Sequence, residues 1–202
     1  MTIEKGTAWG VHGTAPHDLV VAADEAALAR AVESGVRHAA LRAGDVLRAL
    51  GLTDATPPRA GEPALLLPCD AMRVRLDDRA PLTAVSTIIV GRRFRERIVA
   101  SAGGFVGVLN VAPRAHPNDG LLDVLVVAPR TAARQLLAVR RRMRLGDHLP
   151  HPALTMRRAA AHEFSFADAP QRVTIDGRRH GRARRVRIDV LPDAFVLCVA
   201  RR

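Results

Sequence analysis

The sequence predicts an α+β chain, mainly β: a run of antiparallel strands forming a sandwich or meander, interrupted by one helix and preceded by a small α/β segment. Three observations carry that prediction. Segments from residue 72 onward alternate apolar and polar residues with period two, which marks strands with one wet face. Glycines, a D-G step and an L-P-D step fall between those segments, where turns are needed. Helical spacing is confined to two short stretches near the N-terminus and one longer stretch in the middle.

The N-terminal segment reads as two strand–turn–helix units. In the first, an apolar strand (Leu19 to Ala22) leads to Asp24 as a helix N-cap, then Ala27, Leu28, Ala31 and Val32 at helical spacing, then Gly35 as a stop. In the second, HAALRAGDVLRALG, a short apolar run meets a Gly44-Asp45 turn and a helix with Val46, Leu47 and Leu50 on one face, ending at Gly51. A doubly wound sheet needs about five or six parallel strands covered on both faces. Two units are therefore a fragment of one, or they pack on the second part of the chain. TDATPPRAGEP (53–63) has no apolar period and reads as a linker or long loop, so the division is residues 1–56 and residues 57–202.

In the second part MRVRLDD (72–78), LTAVSTIIV (82–90), FRERIVAS (94–101), GFVGVLNV (104–111) and LLDVLVV (121–127) are expected strands. TAARQLLAVRRRMRLG (131–146) is the expected helix, with Thr131 as N-cap and Leu136, Leu137, Val139 and Met143 as its apolar side. After HLPHP (148–152), strands resume at HEFSFA (162–167), QRVTI (171–175), RRVRIDV (184–190) and AFVLCVA (194–200). Leu191-Pro192-Asp193 predicts a tight turn that makes the last two a hairpin.

Composition narrows the class. With 202 residues, 48% of them hydrophobic and only two cysteines, the chain is neither disordered, collagen-like nor a disulfide-stapled miniprotein. Trp9 and five Phe, with no Tyr, leave little to stack bases on. Cys69 and Cys198 stand outside any C-x-x-C spacing, which predicts no zinc site and no disulfide and fits a reducing cytoplasm. No apolar run approaches the roughly 18 residues of a membrane span, so any membrane contact is expected to be peripheral, at the inner face.

The formal charge of +11 is unevenly placed. Residues 1–70 carry six basic and nine acidic groups, whereas residues 71–202 carry 25 and 11. Every basic residue except Lys5 is arginine, and two clusters stand out: Arg140, Arg141, Arg142 and Arg144 in the helix, and RRHGRARRVR (178–187), which holds Arg178, Arg179, Arg184 and Arg185. Arginine offers a bidentate fork to phosphate, so an anionic lipid headgroup or membrane surface and a nucleic-acid backbone are both expected partners, and nothing in the clusters distinguishes them. Helix-end stabilisation and a solvated face in an arginine-biased chain are the plain alternatives.

PRAHPNDGLLDVLVV (113–127) is the most specific stretch, and it resembles the P-x-A-x-x-x-D-G-x-L-D-V signature of the β-rich second domain of the diacylglycerol kinase and bacterial lipid kinase superfamily. In the same order, LPCDAMRVRLDD resembles the entry to that domain, AVSTIIV its next strand, VTIDGRR its V-x-I-D-G-E hairpin and IDVLPDAFVLCVA its closing strands. About residues 65–200 are covered, which makes residues 57–202 a lipid-kinase-type C-terminal β-sandwich with one inserted helix, and residues 1–56 a vestigial nucleotide-binding lobe.

The resemblance implies an enzyme whose Gly-Gly-Asp-Gly-Thr loop cradles ATP phosphates and whose hairpin acid acts as general base on a lipid hydroxyl. Gly44 and Asp45 match the middle of that loop, but Ala43, Val46 and Leu47 replace its other glycines and threonine. Arg178 stands where the hairpin acid is expected, and arginine keeps its proton at any working pH. Asp176 is the surviving candidate catalytic residue, and it also suits the first position of a D-G turn. The resemblance further implies a structural Mg²⁺ held by the Asp119 carboxylate and the carbonyls of His116 and Leu121. The expected function is therefore anionic lipid or phosphorylated-ligand binding with weak or no phosphoryl transfer, and ATP a doubtful cofactor. The rival expectations are an active kinase completed by a homodimer or a separate nucleotide-binding chain, and a basic nucleic-acid-binding module.

Overall fold

The computed structural model describes residues 9–53, 55–91 and 97–200. The first elements in chain order are β1 (Val11–Thr14), β2 (Val20–Ala22), α1 (Glu25–Glu33), β3 (His38–Leu41), α2 (Asp45–Ala49) and β4 (Pro63–Leu76). Then come β5 (Leu82–Ala84), β6 (Thr87–Gly91), β7 (Arg97–Ser101), β8 (Phe105–Val106), β9 (Leu109–Asn110), β10 (Leu122–Val127) and α3 (Ala133–Met143). The last are β11 (Leu154–Ala159), β12 (Ala161–Ser165), β13 (Gln171–Ile175), β14 (Arg178–Ala183) and β15 (Arg185–Ala200).

The fold is mainly β, a sandwich of two sheets. One runs β1-β4-β15-β3-β2, with β12 added on β15 and β5 on β4; the other runs β11-β10-β7-β6-β13-β14. β4 and β15 pair antiparallel along nearly their whole length, from Leu76 opposite Val186 to Ala64 opposite Ala200. One half of this ribbon packs on the second sheet through Met72, Val74, Leu76, Val186 and Ile188, which meet Ile88, Val90, Val124 and Val173. The other half carries the N-terminal segment: β3 adds to β15 and β2 to β3, both in parallel, and β1 adds to β4. Leu28 of α1, Leu47 of α2 and Leu41 of β3 close a second core on Leu67, Phe195 and Leu197. The α/β segment therefore shares its sheet with the sandwich.

Several expected elements are redrawn. β15 is one strand of 16 residues instead of a hairpin. Pro192 and Asp193 instead sit in a register break between Leu191 and Phe195, because β4 is long enough to pair on both sides of it. Asp193, at φ 50, donates its N–H to Asp70 Oδ1 at 3.0 Å, so the ladder bond lost at the bulge is replaced by a side chain. LTAVSTIIV divides into β5 and β6 because the Val85, Ser86 and Thr87 amides turn toward Asp176. GFVGVLNV folds back at Gly107 into the separate β8–β9 hairpin. Thr131 donates its hydroxyl to Ala128 O at 2.7 Å instead of capping the helix, which begins two residues later with Gln135 Oε1 accepting from Ala132 N. The first residues of FRERIVAS lie outside the described residues, and β7 starts at Arg97.

Candidate functional site

The D-G step is a two-residue hairpin loop between β13 and β14, with φ 44 at Asp176 and φ 77 at Gly177, the pair of positive angles that such loops require. The turn carries a 7% exposed Asp176 to the β5–β6 corner. Its carboxylate accepts the Val85, Ser86 and Thr87 amides at 2.9, 3.0 and 2.9 Å, and its own N–H donates to Thr87 O at 2.8 Å. Burial pushes its pKa up to about 6, against the pull of those three bonds. An acid so fully engaged anchors one strand corner to another.

Asp24 and Glu25 come to the same place from α1. Asp24 caps α1 by accepting from Ala27 N at 2.7 Å, which places Glu25 in the first turn facing α2. Glu25 Oε1 accepts the amides of both Asp45 and Val46, the latter at 2.9 Å. The approach depends on Gly44: its φ is 144, and a Cβ there would lie 2.7 Å from Glu25 Oε1. Asp45 in turn accepts from Gly107 N at 2.8 Å, tying α2 to the β8–β9 hairpin. Burial raises Glu25 to about 7, with the charges of Asp45 and Asp176 acting in the same direction. Burial raises Asp45 as well.

A loop that cradles phosphate needs backbone amides free to donate. Here the Asp45 and Val46 amides donate to an internal carboxylate, and the neighbouring side chain is Asp45. These residues do not fit a nucleotide phosphate. On the opposite side Arg178 reaches across from β14 and donates to Asp24 Oδ2 at 2.9 Å. Both side chains are about half exposed, so the pair adds little stability, but it places an arginine at the hairpin position that faces the lobe. The α1 start thus links these positions: Glu25 holds the Asp45 and Val46 amides, and its neighbour Asp24 holds Arg178. Asp24 was legible as a cap; Glu25 has no sequence signal, since its partners lie 20 and 21 residues away on another helix.

Asp119 sits elsewhere, in the turn before β10. Its Oδ1 accepts from Leu121 N at 2.9 Å and its Oδ2 takes the Arg158 guanidinium, which also reaches Asp123 with 3.5 Å between Nε and Oδ2. His116 accepts from Asn118 N at 3.2 Å and packs edge-on against Trp9. Beside them the buried Asp70, unremarked in the sequence, accepts from Gly120 N at 2.7 Å, Asp193 N at 3.0 Å and Asn118 Nδ2 at 3.3 Å. Both Asp119 oxygens already have protein partners, Leu121 N and Arg158, and among the described residues no group of three or more His, Cys, Asp or Glu is arranged to hold a metal. Arg158 supplies the positive charge at this turn. Cys69 and Cys198 are free and buried.

The basic residues form separate surfaces. Arg140, Arg141, Arg142 and Arg144 belong to α3 and its end, which cover β7 and β10 through Val139 and Met143. Arg178 and Arg179 lie on β14, four strand positions from β10, or about 19 Å at the usual strand spacing. Arg184 and Arg185 follow it, their amides both donating to Asp77 Oδ1 at 2.8 Å. Among the described residues no helix is long and apolar enough to cross a membrane.

Comparison with known proteins agrees with this architecture. Residues 70–199 match the family model described as the YegS C-terminal NAD kinase beta sandwich-like domain. A putative diacylglycerol kinase from Bacillus anthracis str. Sterne superposes with a TM-score of 0.60 at 11% identity, over 91% of this chain and 78% of that one. A second structure, of a diacylglycerol kinase from the same organism, gives 0.56 at 13% identity, over 90% and 76%. No curated protein matches the chain. On the strength of the match over residues 70–199, the chain belongs to the family of the YegS C-terminal NAD kinase beta sandwich-like domain.

Proposed function

We propose that this lipid-kinase-family protein binds an anionic lipid surface without efficient phosphoryl transfer, the position of the nucleotide phosphates being taken by its own side chains. The observation that carries the proposal is Glu25 Oε1 on the amides of Asp45 and Val46. Those donors would have to exchange a built-in partner for a phosphate already facing two neighbouring acids. Arg178 supports the same reading, because it cannot take a proton from a lipid hydroxyl. So does Asp176, whose carboxylate is committed to three amides. What remains for function is the arginine-rich surface of a chain whose residues 71–202 hold 25 basic and 11 acidic groups.

Co-sedimentation of the purified chain with neutral and anionic vesicles, beside an RNA gel shift and an ATP-dependent diacylglycerol kinase assay, tests this. Binding to anionic vesicles, little to neutral ones, and no lipid phosphorylation are expected. Turnover that disappears in Asp176→Asn would overturn the non-catalytic reading. Salt-sensitive RNA binding with no preference for anionic vesicles would overturn the lipid reading.

A further inference from the structure

We infer that the outward face of α3 is the membrane-docking element, seated in the headgroup region of an anionic leaflet with Leu137 and Leu145 inserted among flanking arginines. The inference rests on the anionic-lipid reading above and names where and how the surface engages.

α3 has two faces that differ in what they meet. Leu136, Val139 and Met143 recur at spacings of three and four and turn inward against Val99 and Leu125. On the outward side Leu137, Arg140 and Arg141 follow the same spacing, and Arg144, the C-cap, and Leu145, two residues past Met143, continue it. Leu137 is 54% exposed and Leu145 84% exposed, two of the most open large apolar side chains among the described residues. They lie about 12 Å apart along the axis at the helical rise. Their surroundings are cationic: residues 128–146 contain six arginines and no acid. The next acid, Asp147, pairs with Arg142 at 3.4 Å, whereas no ion pair among the described residues involves Arg140, Arg141 or Arg144.

Charge complementarity selects the occupant. Arginines with no protein counter-charge call for a dense anionic layer, and two leucines between them call for an apolar phase directly beneath it. An anionic leaflet supplies both, since arginine stems can lie along the acyl boundary while the guanidinium groups reach the phosphates. A nucleic-acid backbone supplies only the first. The other side of the helix is already held by the protein, so α3 would lie flat on the surface instead of peeling away to expose a second apolar face.

The test uses the full chain and vesicles of equal parts phosphatidylcholine and phosphatidylglycerol, with phosphatidylcholine alone as control. Arg140→Gln with Arg141→Gln and Arg144→Gln is expected to weaken binding about a hundredfold, at about fivefold for each arginine lost near an anionic surface. Leu137→Ser with Leu145→Ser is expected to weaken it on the order of tenfold and to make what remains fully salt-sensitive. A Leu145→Cys variant carrying an environment-sensitive dye should blue-shift on vesicle addition, the native cysteines being buried. Both multiple variants change exposed side chains, so their thermal midpoints should match the wild type and separate lost binding from lost folding. Leucine variants that bind like the wild type, or a dye that stays in water, overturn the insertion. Wild-type binding to anionic vesicles that survives both sets of substitutions overturns the assignment to α3 and leaves the lipid reading standing. No anionic-vesicle binding by the wild type overturns that reading itself.

Discussion

Glu25 accepts the amide hydrogen of Val46 with 2.9 Å between Oε1 and N, so the first turn of one helix closes the N-terminus of the next. The contact is possible because Gly44 leaves no Cβ in its way. It makes an internal junction between α1, α2 and, through Asp45 and Gly107, the β8–β9 hairpin.

The junction makes stability depend on pH in a defined direction. Folding raises Glu25 to about 7 and Asp176 to about 6, chiefly by burial, while the unfolded chain titrates them near ordinary carboxylate values. The folded state therefore holds protons the unfolded state has released, and stability from these groups is full below about pH 4 and lost as pH rises through about 6 to 7. His116, His148 and His162 act oppositely, because burial lowers their values and favours the neutral rings. Glu25→Gln isolates the carboxylate. At about pH 7.5 the variant should be more stable than the wild type by up to about 3 kcal/mol, and near pH 4 the two should converge. Denaturant titrations at both pH values check this, and a difference independent of pH would contradict it.

Asp176 is predicted to matter for folding. Asp176→Ala would leave three buried amides without an acceptor, at about 1–3 kcal/mol each before relaxation, so a loss of about 3–5 kcal/mol is expected. Asp176→Asn keeps one acceptor oxygen and tolerates the positive φ of the turn, so about 1–2 kcal/mol is expected. Urea unfolding of both variants measures the difference. An alanine variant as stable as the wild type would remove the anchoring role.

Arg158 is predicted to do electrostatically what a cation would do at the Asp119 turn. Asp119 and Asp123 are 11% and 7% exposed, so Arg158→Ala leaves two largely buried acids facing each other and should cost about 2–4 kcal/mol. The wild-type thermal midpoint should be the same in millimolar MgCl₂ and in EDTA. A rise in the wild-type midpoint with Mg²⁺ would show that the guanidinium does not hold the site.

Much of the fold was legible in local pattern. Asp24 as a cap, the D-G loop at Asp176 and the alternation of MRVRLDD each depend on residues close in sequence, and each stands where it was expected. The failures are places where a distant partner decides. Leu191-Pro192-Asp193 has turn residues, but Asp70, 123 positions away, holds it as a bulge in one strand. LTAVSTIIV has strand composition throughout, but Asp176 pulls its middle into a corner. Of the candidate residues, Gly44, Asp45, Asp176 and Arg178 carry short-range signals, a G-D step and a D-G step with the residue after it. Glu25 and Arg158 were invisible because nothing in DEAALARA or TMRRAA records which amide or carboxylate they will meet.

Titration of the full chain with Mg–ATP, followed calorimetrically with diacylglycerol-containing vesicles present, tests the proposed loss of nucleotide binding most directly. With Glu25 on the Asp45 and Val46 amides, no saturable heat at millimolar nucleotide and no phosphorylated lipid afterwards are expected. Stoichiometric ATP binding in the micromolar range by the wild type, with Glu25 in place, would contradict it.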